Sequence, residues 1–456
     1  MAFLDERYLL SNDTAAALFS EVQGLPVVDA HNHSDVAEIA VNNNYKTAWQ
    51  VVAATDHYVW EMMRKRGIPE EYITGKADPK EKWLKLVSIF PEIAGNPVYE
   101  WVHLDIRRGL GLKDALITPE SGEQLWDEIN AALARPEKRP LQLLQQMNVE
   151  VMCSTDDPAD VLENHPKVNA AAGKTLVRPT WRPDKAVNIY QPTWPAYIQK
   201  LGARYNTEIK SVDELVEVLQ KSHDYFAENG CAASDHGIEY PLSGDATRES
   251  AQIAFRKALN NEKLSRAEIN DYMSWLSVQI AEMDAKSGWV FQMHIGAVRD
   301  IRDTLMDMLG PDSGGDVSDH MIDIVKPLGR FLNKFDNRLK VALYCLEPGH
   351  QASLAAIARA FGANVRLGSA WWLNDSPIGM RRQLEYIGSV DLLSNFAGMV
   401  SDSRKILSYG SRFEMFRRVL CDVVSGYVLR GQMPFDVAKS LVVRMSYEGP
   451  KSFYNV

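Results

Sequence analysis

Eight times along the chain an apolar, strand-like run ends in polar, reactive residues. The runs are PVVDAHNH (26–33), VEVMCSTDD (149–157), TLVRPTWRPD (175–184), GCAASDHG (230–237), GWVFQMHIGA (288–297), KVALYCLEP (340–348), NVRLGSAWW (364–372) and NFAGMVSDSR (395–404). Helix-like stretches such as SVDELVEVLQKSHDYFAE and SLAAIARAFG lie between most of them. Alternating strand and helix patterns imply parallel βαβ units. Eight such units predict an α/β fold, a (β/α)8 barrel of the TIM type, whose active site stands at the C-terminal ends of the strands. The reactive residues here gather at those ends.

The first two runs are widely separated. The interval holds KTAWQVVAATDHYVWEMMRKRG, PKEKWLKLVSIF and SGEQLWDEINAALA, all amphipathic at helical period. The expected organisation is therefore an N-terminal helix and first strand over 1–34, a helical insertion over 35–148 lying across the barrel mouth, and the rest of the barrel with C-terminal helices over 149–456. A shorter elaboration, LGPDSGGDVSDH, follows the fifth strand.

A chain of 456 residues suits one elaborated barrel. Its net charge of -10 argues against nucleic acid or an anionic membrane as partner. Cys153, Cys231, Cys345 and Cys421 form no CxxC pair, which fits a reducing compartment. The start carries charge where a signal peptide needs an apolar stretch, and no apolar run is long enough for a membrane span. A cytoplasmic address is expected.

The first run ends in His31 and His33, which share one face of a strand. Barrel hydrolases of the amidohydrolase kind bind metal with HxH at the first strand and Asp at the eighth, usually with His at the fifth. His31, His33, His294 and Asp402 match that layout and predict one divalent ion, Zn²⁺ by donor type. The bland readings are a polar strand end for His294 and a helix cap for Asp402. The fourth run offers no evident bridging Lys or carboxylate, and the sixth no His, so a mononuclear site with an incomplete hydrolytic set is expected. Within the insertion, DHYVW places His57 and Tyr58 on a helix, either as core aromatics or as proton donors lowered over the site. Arg182 and Arg404 follow the third and eighth runs. They read as grips for an anionic substrate, or as partners of Asp184, Asp156 or Asp157. Trp371 and Trp372 end the seventh run, where an indole stacks well on the apolar face of a sugar.

Taken in order, DAHNH, DHYVW, STDDP, PTWRPDK, GCAASDHG, HIGAVRD, ALYCLEP, GSAWWLND and SDSRKILSY…FRRVLC resemble the uronate (glucuronate) isomerase family of the amidohydrolase superfamily. The resemblance spans nearly the whole chain. It implies an aldose–ketose isomerase that converts D-glucuronate to D-fructuronate, or D-galacturonate to D-tagaturonate, by proton transfer between C2 and C1. Such an enzyme needs no attacking water, which accounts for the incomplete hydrolytic set. It further implies that His31, His33 and Asp402 hold the metal with His294 close by, and that Arg182 and Arg404 grip the substrate. His57 and Tyr58 then come from the insertion, the Trp371/Trp372 pair walls the site, and Asp402 and Tyr58 are the proton-transfer candidates. A homo-oligomer is expected. The chain departs from the family pattern at Ser34, at RDIRD (299–303) and at Phe413, all at the pocket rim. The competing readings are a mononuclear metal-dependent amidohydrolase or deaminase on the same barrel, and a catalytically dead barrel used for binding.

Overall fold

In a computed structural model, which describes residues 3–456, seven of the eight runs pair as one parallel sheet. Its strands are β1 (Val27–Asp29), β2 (Val149–Asp156), β3 (Leu176–Trp181), β4 (Ala233–Ile238), β5 (Val290–Ile295), β6 (Lys340–Cys345) and β7 (Val365–Leu367), each beside its neighbour in sequence. β5 is buried at every position, as a strand covered on both faces must be. The register sets Gly237 of β4 beside His294 of β5, and His294 beside Tyr344 of β6.

The eighth run forms no ladder strand. Its backbone instead bridges the two sheet edges. The Ala397 amide donates to Leu367 O of β7, while the Asp402 amide donates to His31 O and the His33 amide to Ser403 O beyond β1. The sheet therefore curls until its edges stand on either side of 397–403. The ladder fails for local reasons. Gly398 and Asp402 take positive φ (120° and 48°), and side chains stand in for ladder acceptors: the Ser401 amide donates to Asp29 Oδ1 and the Val400 amide to Ser369 Oγ.

The long interval between β1 and β2 is helical, with helices Val36–Val41, Ala48–Val52, His57–Lys65, Pro79–Ile89, Pro97–Leu104, Gly122–Leu133 and Pro140–Gln146. The stretch read as one helix over 46–67 is two. Asp56 ends the first by capping the second, its side chain accepting from the Tyr58 and Val59 amides. The 309–320 elaboration contributes Val317–Ser318 to a short antiparallel ribbon with Ala297–Val298.

Two apolar layers hold the sheet. Helices pack its outside. Inside, Ala30, Ala233, Val290, Ala342 and Tyr344 meet Phe453 and Tyr454 of the C-terminal helix Gly449–Tyr454. Tyr344 donates to or accepts from Tyr454 at 2.9 Å, and Lys340 Nζ donates to Phe453 O. Lys340 is the first residue of β6, so the C-terminal helix plugs the N-terminal end of the sheet. Each buried aromatic ring there stabilises by roughly 1.5–3 kcal/mol. Gly368 is required beside this plug, because a Cβ would sit 2.2 Å from the Tyr344 ring. The opposite end of the sheet is left open to a cavity.

Candidate active site at the C-terminal strand ends

A cavity of ≈ 750 Å³ opens at the C-terminal strand ends and takes in every candidate site residue: His31, His33, His57, Tyr58, Arg182, His294, Trp371, Trp372, Asp402 and Arg404. Ser34 and Phe413, expected at its rim, are instead buried and do not line it. Its floor carries two overlapping sets of ligating groups that share His31. His31, His33 and Asp402 offer ligand atoms within 4.8 Å of one another, and so do His31, Asp235 and His294. Asp402 Oδ1 lies 3.3 Å from Nε2 of both His31 and His33. Burial opposes ionisation of Asp402, but the two imidazoles outweigh it and hold the carboxyl far below the ordinary carboxylate range. Asp402 achieves this placement in the left-handed region, which costs an L residue roughly 1–2 kcal/mol and is tolerated best by Asp and Asn.

Asp235 stands in the fourth strand, where the sequence shows no evident bridging Lys or carboxylate, and it joins the ligating groups. It is fully buried and central. Its Oδ1 accepts from His294 Nδ1 at 2.7 Å, its Oδ2 accepts from Arg182 Nη1 at 2.9 Å, and Oδ2 lies 3.5 Å from His31 Nδ1. Strand parity was the available signal. In ASDHGI, Asp235 shares a face with the small residues Ala233 and Gly237, whereas His236 turns to the other face and stacks on Phe291.

The donor set fits a divalent cation. His31 Nδ1 and His294 Nε2 are buried without a hydrogen-bond partner. Leaving such atoms unsatisfied costs about 1–3 kcal/mol each, and an ion held between imidazoles and carboxylate would relieve it. Burial pushes His294 down to about 4, so the ring is neutral and able to ligate.

The bland expectation of pairing with Asp184, Asp156 or Asp157 holds for Arg182, through Asp184, and Arg404 instead lies near Asp312. Arg182 donates through Nε to Asp184 (2.8 Å) and through Nη1 to Asp235, leaving Nη2 uncommitted. Gly237 makes room for that nitrogen, since a Cβ there would lie 2.6 Å from Nη2 and 3.1 Å from Asp184 Oδ2. Arg404 is freer: it is 37% exposed, with only Asp312 at 3.8 Å.

His57 and Tyr58 open the helix that Asp56 caps. Burial and the nearby Arg404 push His57 down to about 4, and its Nε2 is buried without a partner. Burial, reinforced by the Asp402 charge, holds the Tyr58 phenol well above its ordinary range, and therefore protonated. Trp371 lies against His294 (ring centroids 4.7 Å), while Arg299 covers Trp372 at 4.7 Å. Arg412 was not singled out from the sequence. Its guanidinium is buried between the rings of Trp101 (3.4 Å) and Tyr58 (5.7 Å) and is paired with Asp375.

Comparison with known proteins follows this geometry. The glucuronate isomerase family model matches residues 1–454. A uronate isomerase of Thermotoga maritima is 48% identical over 452 residues, 99% of each chain. The crystal structure of uronate isomerase from that organism covers 100% of both chains with a TM-score of 0.97. The crystal structure of glucuronate isomerase from Caulobacter crescentus, 24% identical, shares the fold, with a TM-score of 0.95 and coverage of 100% of this chain and 97% of that one.

Proposed function

The chain belongs to the glucuronate isomerase family, and on that premise we propose how its cavity moves the carbonyl of a hexuronate from C1 to C2. The activity is that of a uronate isomerase, converting D-glucuronate to D-fructuronate or D-galacturonate to D-tagaturonate. One observation carries the assignment of roles: the ligating set, the two arginines, Tyr58 and the tryptophan pair line a single cavity.

His31, His33 and Asp402 would hold one divalent ion, with His294 and Asp235 behind them. Two imidazoles and a carboxylate favour Zn²⁺. When bound, the ion would supply a Lewis acid to polarise substrate oxygens. Arg404 and the uncommitted Nη2 of Arg182 face the substrate carboxylate, where a guanidinium binds in fork geometry. Trp371 and Trp372 wall the apolar face of the sugar. Tyr58, held protonated, enters as the acid towards the carbonyl oxygen. Asp402, held ionised, is the base that takes the C2 proton and returns it to C1, while the C2 hydroxyl gives up its proton to restore Tyr58. Neutral His57 orients a hydroxyl.

The finer architecture supports the same reading. Segment 397–403 serves as the eighth stave of a (β/α)8 barrel, and 35–148 acts as a helical lid between the first strand (1–34) and the remainder (149–456). No helix among the described residues is long and apolar enough to cross a membrane. A cytoplasmic homo-oligomer acting on a small sugar acid fits these features. The hydrolase or deaminase reading is not favoured, because the family and the relatives carry the isomerase name. Incubation with each uronate and with N-acyl amino acids, followed by assays for ketose and free amine, separates the two: ketose alone supports the proposal, and amine without ketose overturns it.

A further inference from the structure

We propose that Lys405 and Asp56 form a positioning pair that sets where Tyr58 and His57 stand relative to Asp402. The inference rests on the isomerase reading and concerns how the insertion is held over the site.

The two halves of the site come from distant parts of the chain. Asp402 belongs to the segment that bridges β7 and β1, fixed by the Asp402–His31 and His33–Ser403 backbone bonds. Lys405 lies three residues on. Its amide donates to Ser403 Oγ, which in turn donates to Lys405 O, so its backbone is tied to the same segment. Tyr58 lies on the first turn of helix His57–Lys65. Asp56, its cap, spends Oδ1 on the Tyr58 and Val59 amides at 3.0 and 3.3 Å. The other oxygen, Oδ2, lies 2.7 Å from Lys405 Nζ. One carboxylate therefore fixes the start of the helix and joins it to the strand-end segment.

The junction is buried and specific. Lys405 and Asp56 are each 8% exposed. Lys405 Nζ also donates to Val52 O, at the end of the preceding helix, and lies 3.5 Å from Asp105 Oδ2. Asp105 in turn accepts from Ser408 at 2.9 Å and from Ser411. The ammonium thus gathers three points of the insertion onto the loop that carries Asp402. A buried ion pair with a single geometry fixes registration, whatever it adds to stability. Neither residue needs to touch substrate for this role.

The test is a cycle of Asp56→Asn, Lys405→Met and the double variant. Asn keeps the helix cap through its oxygen and sets a donor NH2 where Oδ2 accepts from Lys405, so Asp56→Asn breaks the ion pair without removing the cap. Lys405→Met keeps the buried stem. The readouts are kcat and KM on D-glucuronate, the isotope effect with C2-deuterated substrate, and hydrogen exchange of the 53–65 segment in the full chain. Displacement of the reacting groups by about an ångström predicts a loss of about 100-fold in kcat for either single variant, with KM changed by less than about threefold and a larger isotope effect. Exchange should quicken in 53–65 and not elsewhere. The double variant should be no worse than Lys405→Met, because its losses are shared. Unaltered kcat and exchange in Asp56→Asn would overturn the proposal. So would additive losses, or an exchange increase spread over the whole chain. If Lys405→Met does not fold, Asp56→Asn alone decides by the same readouts. A wild type inactive on uronates would sink the isomerase reading instead, while the exchange result would still judge the pair.

Discussion

His294 Nδ1 stands 2.7 Å from Asp235 Oδ1, and that contact decides which ring nitrogen is free. With Asp235 ionised, Nδ1 carries the proton and Nε2 presents its lone pair, buried and without a partner. Carboxylate–imidazole contacts of this kind orient a metal ligand, and their loss costs about 10–100-fold in metal affinity. Asp235→Asn should therefore weaken divalent metal binding by that factor, measured by chelator competition. Unchanged affinity would detach Asp235 and His294 from the metal.

The two arginines should behave differently. Arg182 neutralises half-buried Asp184 and fully buried Asp235. Arg182→Met strands both carboxylates and should lower stability by about 3–5 kcal/mol, read as a fall in the denaturation midpoint. Arg404, whose nearest carboxylate among the described residues is Asp312 at 3.8 Å, should be removable at little structural cost. Arg404→Met should reduce kcat/KM on glucuronate by two orders of magnitude or so while leaving glucose turnover nearly unchanged, by loss of a charge-assisted fork. Equal losses on both sugars would show that Arg404 does not read the carboxylate.

Gly237 offers a test of close packing. Gly237→Ala adds a Cβ 2.6 Å from Arg182 Nη2. Overpacking of this kind costs about 1–3 kcal/mol. The guanidinium must move, so KM for the uronate should rise more than kcat falls. A variant with wild-type KM would place Arg182 Nη2 outside the substrate's reach.

In the insertion, His103 is held as one neutral tautomer. Its Nδ1 lies 2.7 Å from Tyr99 O, and its Nε2 accepts from the Ile117 amide at 2.9 Å. A proton on Nε2 would break the second bond. Burial pushes the group down to about 4. The folded pKa is thus below the unfolded value of about 6.5, so the unfolded chain binds the proton first. Stability is full above about pH 6.5 and is lost as pH falls towards 4, by about 2 kcal/mol from this residue at pH 5. An NMR titration of His103 near 4 is expected, and one near 6.5 would refute the assignment.

Much of the site was legible because strand ends announce themselves. His31, His33, His294, Arg182 and Trp371 each follow an apolar run, and the curled parallel sheet places such residues together. Asp235 was missed because it lies inside its strand, two residues from the end of the motif, where only the side-chain alternation separates it from His236. The eighth strand was overcalled for the opposite reason. NFAGMVSDSR has strand-like composition, but Gly398 and Asp402 at positive φ turn it into a bridge held by side chains. Lys405 and Arg412 carried no signal, since their partners Asp56 and Asp375 lie far away in sequence.

The central claim is that Asp402 moves the substrate proton in a uronate isomerase. The most direct measurement is ketose formation from D-glucuronate and D-galacturonate by the wild type and Asp402→Asn. Asn tolerates the left-handed backbone that Asp402 adopts, so the fold should persist. The account predicts ketose from at least one uronate with the wild type, and a fall of at least about 10²–10⁴-fold in kcat for the variant. No ketose from either uronate, or undiminished turnover by Asp402→Asn, would contradict it.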